Sequence, residues 1–283
     1  MILSMIRIDA HQHFWKYTPA EYGWINDQMA PLRRDFLPGD LKPLLDENGM
    51  HGSIAVQARQ SLEETHWLLK LAEQNRFIEG VIGWVDLCSP LLTDQLEEIA
   101  AHRKLVGLRH VLQDENDDHF MLRPEFQRGI AQLAEFGLAY DLLLHPRHLP
   151  IATQLVRQYP TQTFVLDHLA KPAIAEGMIE PWCRDIRELA KCPNVSCKLS
   201  GMVTEARWKT WMPGDFRPYL DAALDAFGAS RLMIGSDWPV CTLSAEYAQT
   251  LAIGVDFAQQ FTKAERDGIL GGNCARIYKI ATA

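Results

Sequence analysis

Eight short, nearly continuous apolar runs, each followed by a longer segment of helical periodicity, constrain this chain more than any other feature. The runs cover residues 6–11, 52–59, 81–87, 106–112, 139–145, 163–168, 195–200 and 232–237. A strand that is apolar at nearly every position has both faces covered, as parallel strands flanked by helices do. Ser61-Leu62-Glu63-Glu64 looks like a capping box, opening a helix that ends near Asn75. Residues 123–136 repeat apolar side chains at three- and four-residue spacing and stop at Gly137, and residues 245–261 give another long helix. Strand and helix repeated eight times predict an α/β fold, a (β/α)8 TIM barrel, as one domain over residues 1–283. The length suits that fold, which typically needs about 250 residues. An open, doubly wound sheet is the structural alternative. The lack of a G-x-G-x-x-G after the first strand counts against it.

Hydrophobic residues make up 47% of the chain and charged residues 23%, enough apolar surface to offset the entropy of ordering. The net charge is -8, and no Lys/Arg run or basic stripe occurs, so nucleic acid is not an expected partner. No apolar stretch approaches the roughly 18 residues of a membrane span, so no membrane partner is expected. Residues 1–8 read as a short strand rather than a signal peptide, because Arg7 and Asp9 interrupt any apolar run. The expected compartment is the cytoplasm, and the sequence leaves a homo-oligomer open. The six Cys form no C-x-x-C pair and read as buried free thiols.

The sharpest local signal is Asp9-Ala10-His11-Gln12-His13, at the end of the first strand. Residues two apart on a strand share a face, which predicts that Asp9, His11 and His13 all project into the barrel. Two imidazoles there can bind a divalent metal or donate to a polarised carbonyl. Other polar residues recur in the strands or at their ends: Gln57, Arg109, His110, His145, Asp167, His168, Lys198, Ser200 and Asp237. Burying one polar residue is often structural, but polar residues at the same end of most strands are costly without a purpose. Their convergence predicts an active site at the C-terminal mouth. Two long loops, 14–38 and 202–216, follow strands and carry aromatics, among them Trp24 and Trp208. These either pack the loops onto the barrel or form a ligand lid. No G-x-S-x-G elbow, H-E-x-x-H or P-loop is present.

His11-x-His13, Asp167-His168, Gly235-Ser236-Asp237-Trp238-Pro239 and the closing Gly271-Gly272-Asn273 together resemble the amidohydrolase superfamily, over nearly the whole chain. The segment from Asp9 to Trp15, then Trp24-Ile25 and Leu32-Arg33-Arg34-Asp35-Phe36, resembles the sugar-lactone hydrolases of its amidohydrolase-2 branch. The resemblance implies hydrolysis of an aldonolactone, such as the L-fucono-, L-galactono- or L-rhamnono-lactone. It implies Asp237 as general base toward water, and His11, His13 and His168 as groups that polarise the carbonyl or bind a metal. His168 and Arg109 are the expected oxyanion donors, with His11 and His13 in support.

The superfamily's bridging ligand on the fifth strand is a carboxylated Lys or a Glu. Here that strand reads Tyr140-Asp141-Leu142-Leu143-Leu144-His145, with neither, so a binuclear centre is not expected. No cofactor is expected to be required. The alternative is a single divalent ion such as Zn at His11, His13 and Asp237, with His145 or His168 as a further ligand. Sugar hydroxyls need donors and acceptors around an apolar wall, for which Trp24, Arg33, Gln57, Trp84, His110, His145, Lys171, Lys198 and Trp238 are candidates. Arg33 could instead be an exposed loop residue, and Lys171 and Lys198 structural ion partners. Two other readings stay open: a Zn-dependent decarboxylase or other hydrolase of the branch acting on an aromatic or dicarboxylic acid, and a non-catalytic barrel that binds sugar acids.

Overall fold

A computed structural model describes residues 6–280. The part of the expected N-terminal strand that falls on residues 1–5 lies outside the described residues. Eight parallel strands run in sequential order: β1 Ile8–Gln12, β2 Gly52–Val56, β3 Ile78–Gly83, β4 Leu105–His110, β5 Ala139–Leu142, β6 Phe164–Leu166, β7 Val195–Leu199 and β8 Leu232–Ile234. The sheet closes on itself at the β1–β8 seam, where the His13 amide donates to the Trp238 carbonyl (2.7 Å) and the Asp237 amide to the His11 carbonyl (2.8 Å). Closure removes the open-sheet alternative and leaves a (β/α)8 barrel.

Helices cover the outside: α1 Pro38–Glu47, α2 Leu62–Gln74, α3 Leu92–Ala100, α4 Pro124–Leu133, α5 Leu149–Gln158, α6 Trp182–Ala190, the one-turn α7 Met202–Glu205, α8 Pro213–Phe227 and α9 Tyr247–Ala258. Two short helices follow, α10 Lys263–Asp267 and α11 Asn273–Ile277. Among the described residues, no helix is long and apolar enough to cross a membrane. All six Cys are free thiols, five of them buried.

Several strands stop earlier than the apolar runs predict. β6 and β8 end at Leu166 and Ile234, before the Asp and His residues expected at their tips. The cause is backbone geometry. His168 and Asp237 have φ of 53° and 57°, left-handed values that carry the chain out of the sheet. β3 instead begins three residues early, at Ile78. At the start of α2, Ser61 caps the amide of Glu64 as expected, but the Glu64 carboxylate does not complete a capping box. It accepts from the amides of Ala58 and Arg59 (both 2.9 Å) and from the Tyr22 hydroxyl (3.2 Å). Glu64 therefore ties the loop after β2 to the long 14–38 loop.

The barrel interior has two layers. Ile8, Ala10, Ile54, Val56, Ile82, Val106, Ala139, Val165 and Met233 form one apolar cluster with Cys274, Ala275, Ile277 and Tyr278 from α11 and the residue after it. Burying such side chains stabilises a fold by roughly 25 cal/mol per Å² removed from water. Toward the C-terminal ends of the strands the interior turns polar.

Candidate active site

β1 is irregular between Asp9 and Gln12. This corrects the expectation that Asp9, His11 and His13 share a face. Ala10 belongs to the apolar interior, while the Asp9 carboxylate accepts from the Ser236 amide (2.8 Å), the Ser236 hydroxyl (2.6 Å) and the Tyr247 hydroxyl of α9 (3.1 Å). A bulge shifts the two-residue alternation. Asp9 thus anchors the Gly-Ser-Asp turn, and burial pushes its carboxyl up to about 6 despite those donors.

Beyond the bulge, His11 and His13 turn together, with their Nε2 atoms 3.2 Å apart. Asp237 Oδ1 lies 3.3 Å from His13 Nε2 and 3.8 Å from the Nε2 atoms of both His11 and His168. His13 Nδ1 is 2.8 Å from the Val56 carbonyl, which can only accept, so Nδ1 carries the proton and Nε2 faces Asp237 bare when the ring is neutral. His168 Nδ1 meets the Ser200 hydroxyl at 2.9 Å. Two glycines make this crowding fit. A Cβ on Gly201, whose φ is +64°, would stand 2.5 Å from His168 Nδ1, and one on Gly235 would stand 2.8 Å from His11 Cβ.

Arg109 lies behind the imidazoles. Its Nη1 donates to Asp167 Oδ2 (2.9 Å) and approaches His11 Nε2 (3.3 Å), while Nε and Nη2 donate to Gln57 Oε1 (3.0 and 2.7 Å) and Nη2 also to the Gln57 carbonyl (2.6 Å). Every donor nitrogen of the guanidinium thus has a protein partner. That corrects the expectation of Arg109 as an oxyanion donor: it supplies fixed positive charge rather than a spare N–H. Lys198 lies deeper, fully buried, with Nζ 2.5 Å from Asp141 Oδ2, 3.0 Å from Asp167 Oδ1 and 3.2 Å from His11 Nδ1. Tyr278 donates to Asp141 from below, at 2.9 Å.

Burial is the largest influence on these groups. It pushes His11 well below the ordinary imidazole value and His168 down to about 4, against the pull of Asp167 and Asp237. Burial also raises Asp237, but His168 and the neighbouring His11 and His13 outweigh it and hold Asp237 below the usual carboxylate range. The site at neutral pH pairs an ionised Asp237 with neutral His11 and His168.

A cavity of about 470 Å³ opens over this cluster. His13, Arg109, His168, Lys171, Asp237 and Trp24 all line it, as do Arg59, Gln60, Asp114, Glu205 and Trp208. Trp24 is the one aromatic of the 14–38 loop on the wall, and Phe14, Trp15 and Tyr22 are buried packing residues. The other expected substrate contacts lie elsewhere. Arg33 folds back onto Asp27 and the Ile25 carbonyl. Gln57 and Lys198 are fully buried beneath the floor and hold Arg109 and Asp167. Trp84 donates to His110, whose Nε2 meets Glu115 at 2.7 Å, because His110 alternates outward on β4 where Arg109 points in. His145 is off the wall and in neither group of potential metal ligands, which corrects its candidacy as a fourth ligand. Trp238 is buried against Phe14 and Phe36. The sequence alone assigns no role to Asp141, Tyr278 or Glu205, whereas Trp208, expected either to pack its loop or to form a lid, lines the cavity. Of the first three, Asp141 carries a signal, as a carboxylate in the middle of an apolar strand.

The family model for amidohydrolases matches residues 8–280. The chain belongs to the amidohydrolase family. It is 43% identical to an L-fucono-1,5-lactonase of Burkholderia multivorans, over 98% of this chain and 97% of that protein. An L-fucono-1,5-lactonase of Burkholderia ambifaria is 40% identical, over 97% and 96%. A crystal structure of a Burkholderia multivorans amidohydrolase with bound zinc superimposes with a TM-score of 0.92 at 44% identity, covering 98% of this chain and all of that one.

The residues here fit one divalent ion. The ligand atoms of His11, His13 and Asp237 lie within 4.8 Å of one another, and the bare Nε2 of His13 faces a carboxylate and another imidazole nitrogen, an arrangement that a shared cation relieves. The Val56 carbonyl, Asp167 and Ser200 orient the three imidazoles from behind, as partners of metal-ligating histidines do. A bridging carboxylate on β5 is not available, since Asp141 is held by Lys198 and Tyr278.

Proposed function

We propose that this amidohydrolase hydrolyses a sugar lactone, L-fuconolactone or a close relative such as the L-galactono- or L-rhamnono-lactone, to the aldonic acid. The observation that carries the reading is an ionised Asp237 among three imidazoles on the cavity floor, in a chain over 40% identical to a protein named as an L-fucono-1,5-lactonase. Asp237 takes a proton from water as the water oxygen bonds to the ring carbonyl carbon. Negative charge then develops on the carbonyl oxygen. With Ser200 donating to Nδ1 of His168, Nε2 carries the proton and faces the cavity as an oxyanion donor, while Arg109 adds fixed positive charge. Collapse of the tetrahedral species breaks the bond to the ring oxygen, and Asp237 returns its proton to that oxygen. The new carboxylic acid ionises and releases one proton.

A lactone is an ester, so its carbonyl needs less activation than an amide, and no metal is required in this scheme. A divalent ion held by His11, His13 and Asp237 would act as a Lewis acid on the carbonyl. The test is proton release, followed with a pH indicator, from L-fucono-, L-galactono-, L-rhamnono- and D-arabinono-lactones before and after exhaustive chelation. Turnover that survives chelation supports the Asp237 route and ranks the substrates. No turnover on any lactone, with or without added Zn, overturns the assignment.

A further inference from the structure

Two charged side chains on the cavity wall are left out of every interaction described so far. Glu205 closes the one-turn helix α7 after β7, and Lys171 follows the His168 turn with a left-handed backbone (φ 54°). Both line the cavity beside Asp237 and His168. Among the described residues, neither side chain has a hydrogen-bond or ion-pair partner, and the charges acting on Glu205 are those of Lys171, Asp237 and Glu176. Of the other charged groups on this wall, Arg59 pairs with Glu21 and Arg109 is saturated by Gln57, Asp167 and His11, while Asp114 is a further carboxylate without a side-chain partner among the described residues. Partly burying two opposite charges without joining them is costly unless a ligand completes them.

We propose that Glu205 and Lys171 together read the hydroxyls of the substrate and make the cavity select an uncharged polyhydroxy lactone over one that carries a free carboxylate. The proposal rests on the lactone assignment and deepens it. A carboxylate only accepts hydrogen bonds and an ammonium only donates them. A sugar hydroxyl does both, so neighbouring hydroxyls satisfy the two groups at once. A substrate carboxylate would satisfy Lys171 alone and would meet Glu205 and Asp237 as like charges. Discrimination then comes from an unfavourable contact as much as from a favourable one. Burial, which raises the Glu205 carboxyl, adds to the benefit of hydroxyl donors that replace its lost water. Trp24 and Trp208 supply the apolar part of the same wall.

The experiment compares wild type with Glu205→Gln on L-fuconolactone and on a lactone of a sugar diacid. A non-hydrolysable L-fuconolactam, titrated by the fluorescence of Trp24 and Trp208, reads binding without turnover. Hydrogen bonds to charged groups are worth enough that the variant should raise KM for L-fuconolactone about 10- to 100-fold, with kcat falling much less. Lactam affinity should fall in parallel, while kcat/KM on the diacid lactone holds or rises. A KM, lactam affinity and substrate ratio all within about threefold of wild type overturn the proposal while leaving the lactonase assignment standing. Wild type that binds the lactam through Glu205 but opens no lactone supports the hydroxyl reader and sinks only the reaction. Wild type that neither binds the lactam nor opens a lactone overturns both. A circular-dichroism melt of Glu205→Gln verifies that the fold is intact, and Glu205→Lys should invert the substrate preference.

Discussion

Replacing Asp237 by Asn removes the general base while keeping the side chain's size. The carboxylate Oδ1 lies 3.3 Å from His13 Nε2 and 3.8 Å from the Nε2 atoms of His11 and His168. The backbone amide that pins the turn to His11 is untouched. The substituted carboxamide can still fill the floor and donate to an imidazole, but it cannot take a proton from water. Positioned general bases contribute about 10²- to 10⁴-fold, equivalent to about 3–5 kcal/mol of barrier. The variant should therefore lose about 10³-fold in kcat on L-fuconolactone, with KM nearly unchanged, after spontaneous ring opening is subtracted. The wild-type pH profile separates the carboxylate from its neighbours. Asp237 is held below the usual carboxylate range, so it is already ionised well below neutrality, and its contribution is lost only as pH falls through that low value. The wild-type kcat/KM should stay flat from about pH 8 down to about pH 5. An acid limb centred near the unperturbed imidazole value of about 6.5 would make a histidine the base and refute the reasoning. A loss below tenfold in Asp237→Asn would do the same.

Zinc added to the chelated protein should bind at one equivalent per chain by calorimetry, and His13→Asn should weaken it at least tenfold. A second equivalent of similar affinity would contradict the commitment of Asp141 to Lys198 and Tyr278. Arg109→Lys keeps the charge but offers three donors where five are used, leaving acceptors on Gln57 or Asp167 unpaired in a buried site. At about 1–3 kcal/mol for each orphaned acceptor, thermal denaturation should come about 3–10 °C lower, and an unchanged melting temperature would show that the fork is not needed. Burial pushes Glu64 up to about 7 from an unfolded value of 4.5. The folded state then holds the extra proton between those values, so stability falls as pH rises through that window, by up to about 3 kcal/mol. Urea unfolding at pH 5 and pH 8 should show that loss in wild type and much less of it in Glu64→Gln, whose amide keeps the acceptor for Ala58 and Arg59. Equal pH dependence in the two proteins would remove Glu64 as its source.

The sequence made the barrel legible because its strands are buried on both faces and so stand out as apolar runs. His11, His13 and Asp237 were legible for a related reason: they interrupt those runs at one end. The direction of each side chain was harder to read. Strict alternation put Asp9 in the barrel, and only the irregularity in β1 shows that it turns to Ser236 and Tyr247. His110 and Trp238 sit next to inward-facing residues but face the helices and loops. Contacts far apart in sequence left no local trace. Tyr278 meets Asp141 across 137 positions, and Lys198 meets His11 across 187. Glu205 lies in a loop segment whose spacing carries no strand or long-helix pattern, so its place on the cavity wall depends on the fold around it.

The charged layer beneath the floor belongs to the site rather than to the fold. The apolar ring from Ile8 to Met233, closed below by α11, already fills the lower barrel. Asp141, Asp167 and Lys198 are fully buried above it, where desolvation of paired charges commonly cancels their attraction. An aliphatic layer would serve stability as well or better. The charges instead fix geometry that an aliphatic layer could not. Asp167 is gripped from two sides, by Arg109 at 2.9 Å and Lys198 at 3.0 Å, and places its Oδ1 3.3 Å from His11 Nδ1. Donation from Nδ1 to that carboxylate would select the His11 tautomer that bares Nε2 toward His13 and Asp237. Lys198 can make the opposite selection by donating to Nδ1 itself, at 3.2 Å. The two arrangements differ by one proton position and by whether His11 Nε2 can accept a cation. The buried Lys198–Asp167 pair therefore determines how the cluster on the floor is set, either as a cation site or as a chain of imidazole hydrogen bonds ending on Asp237.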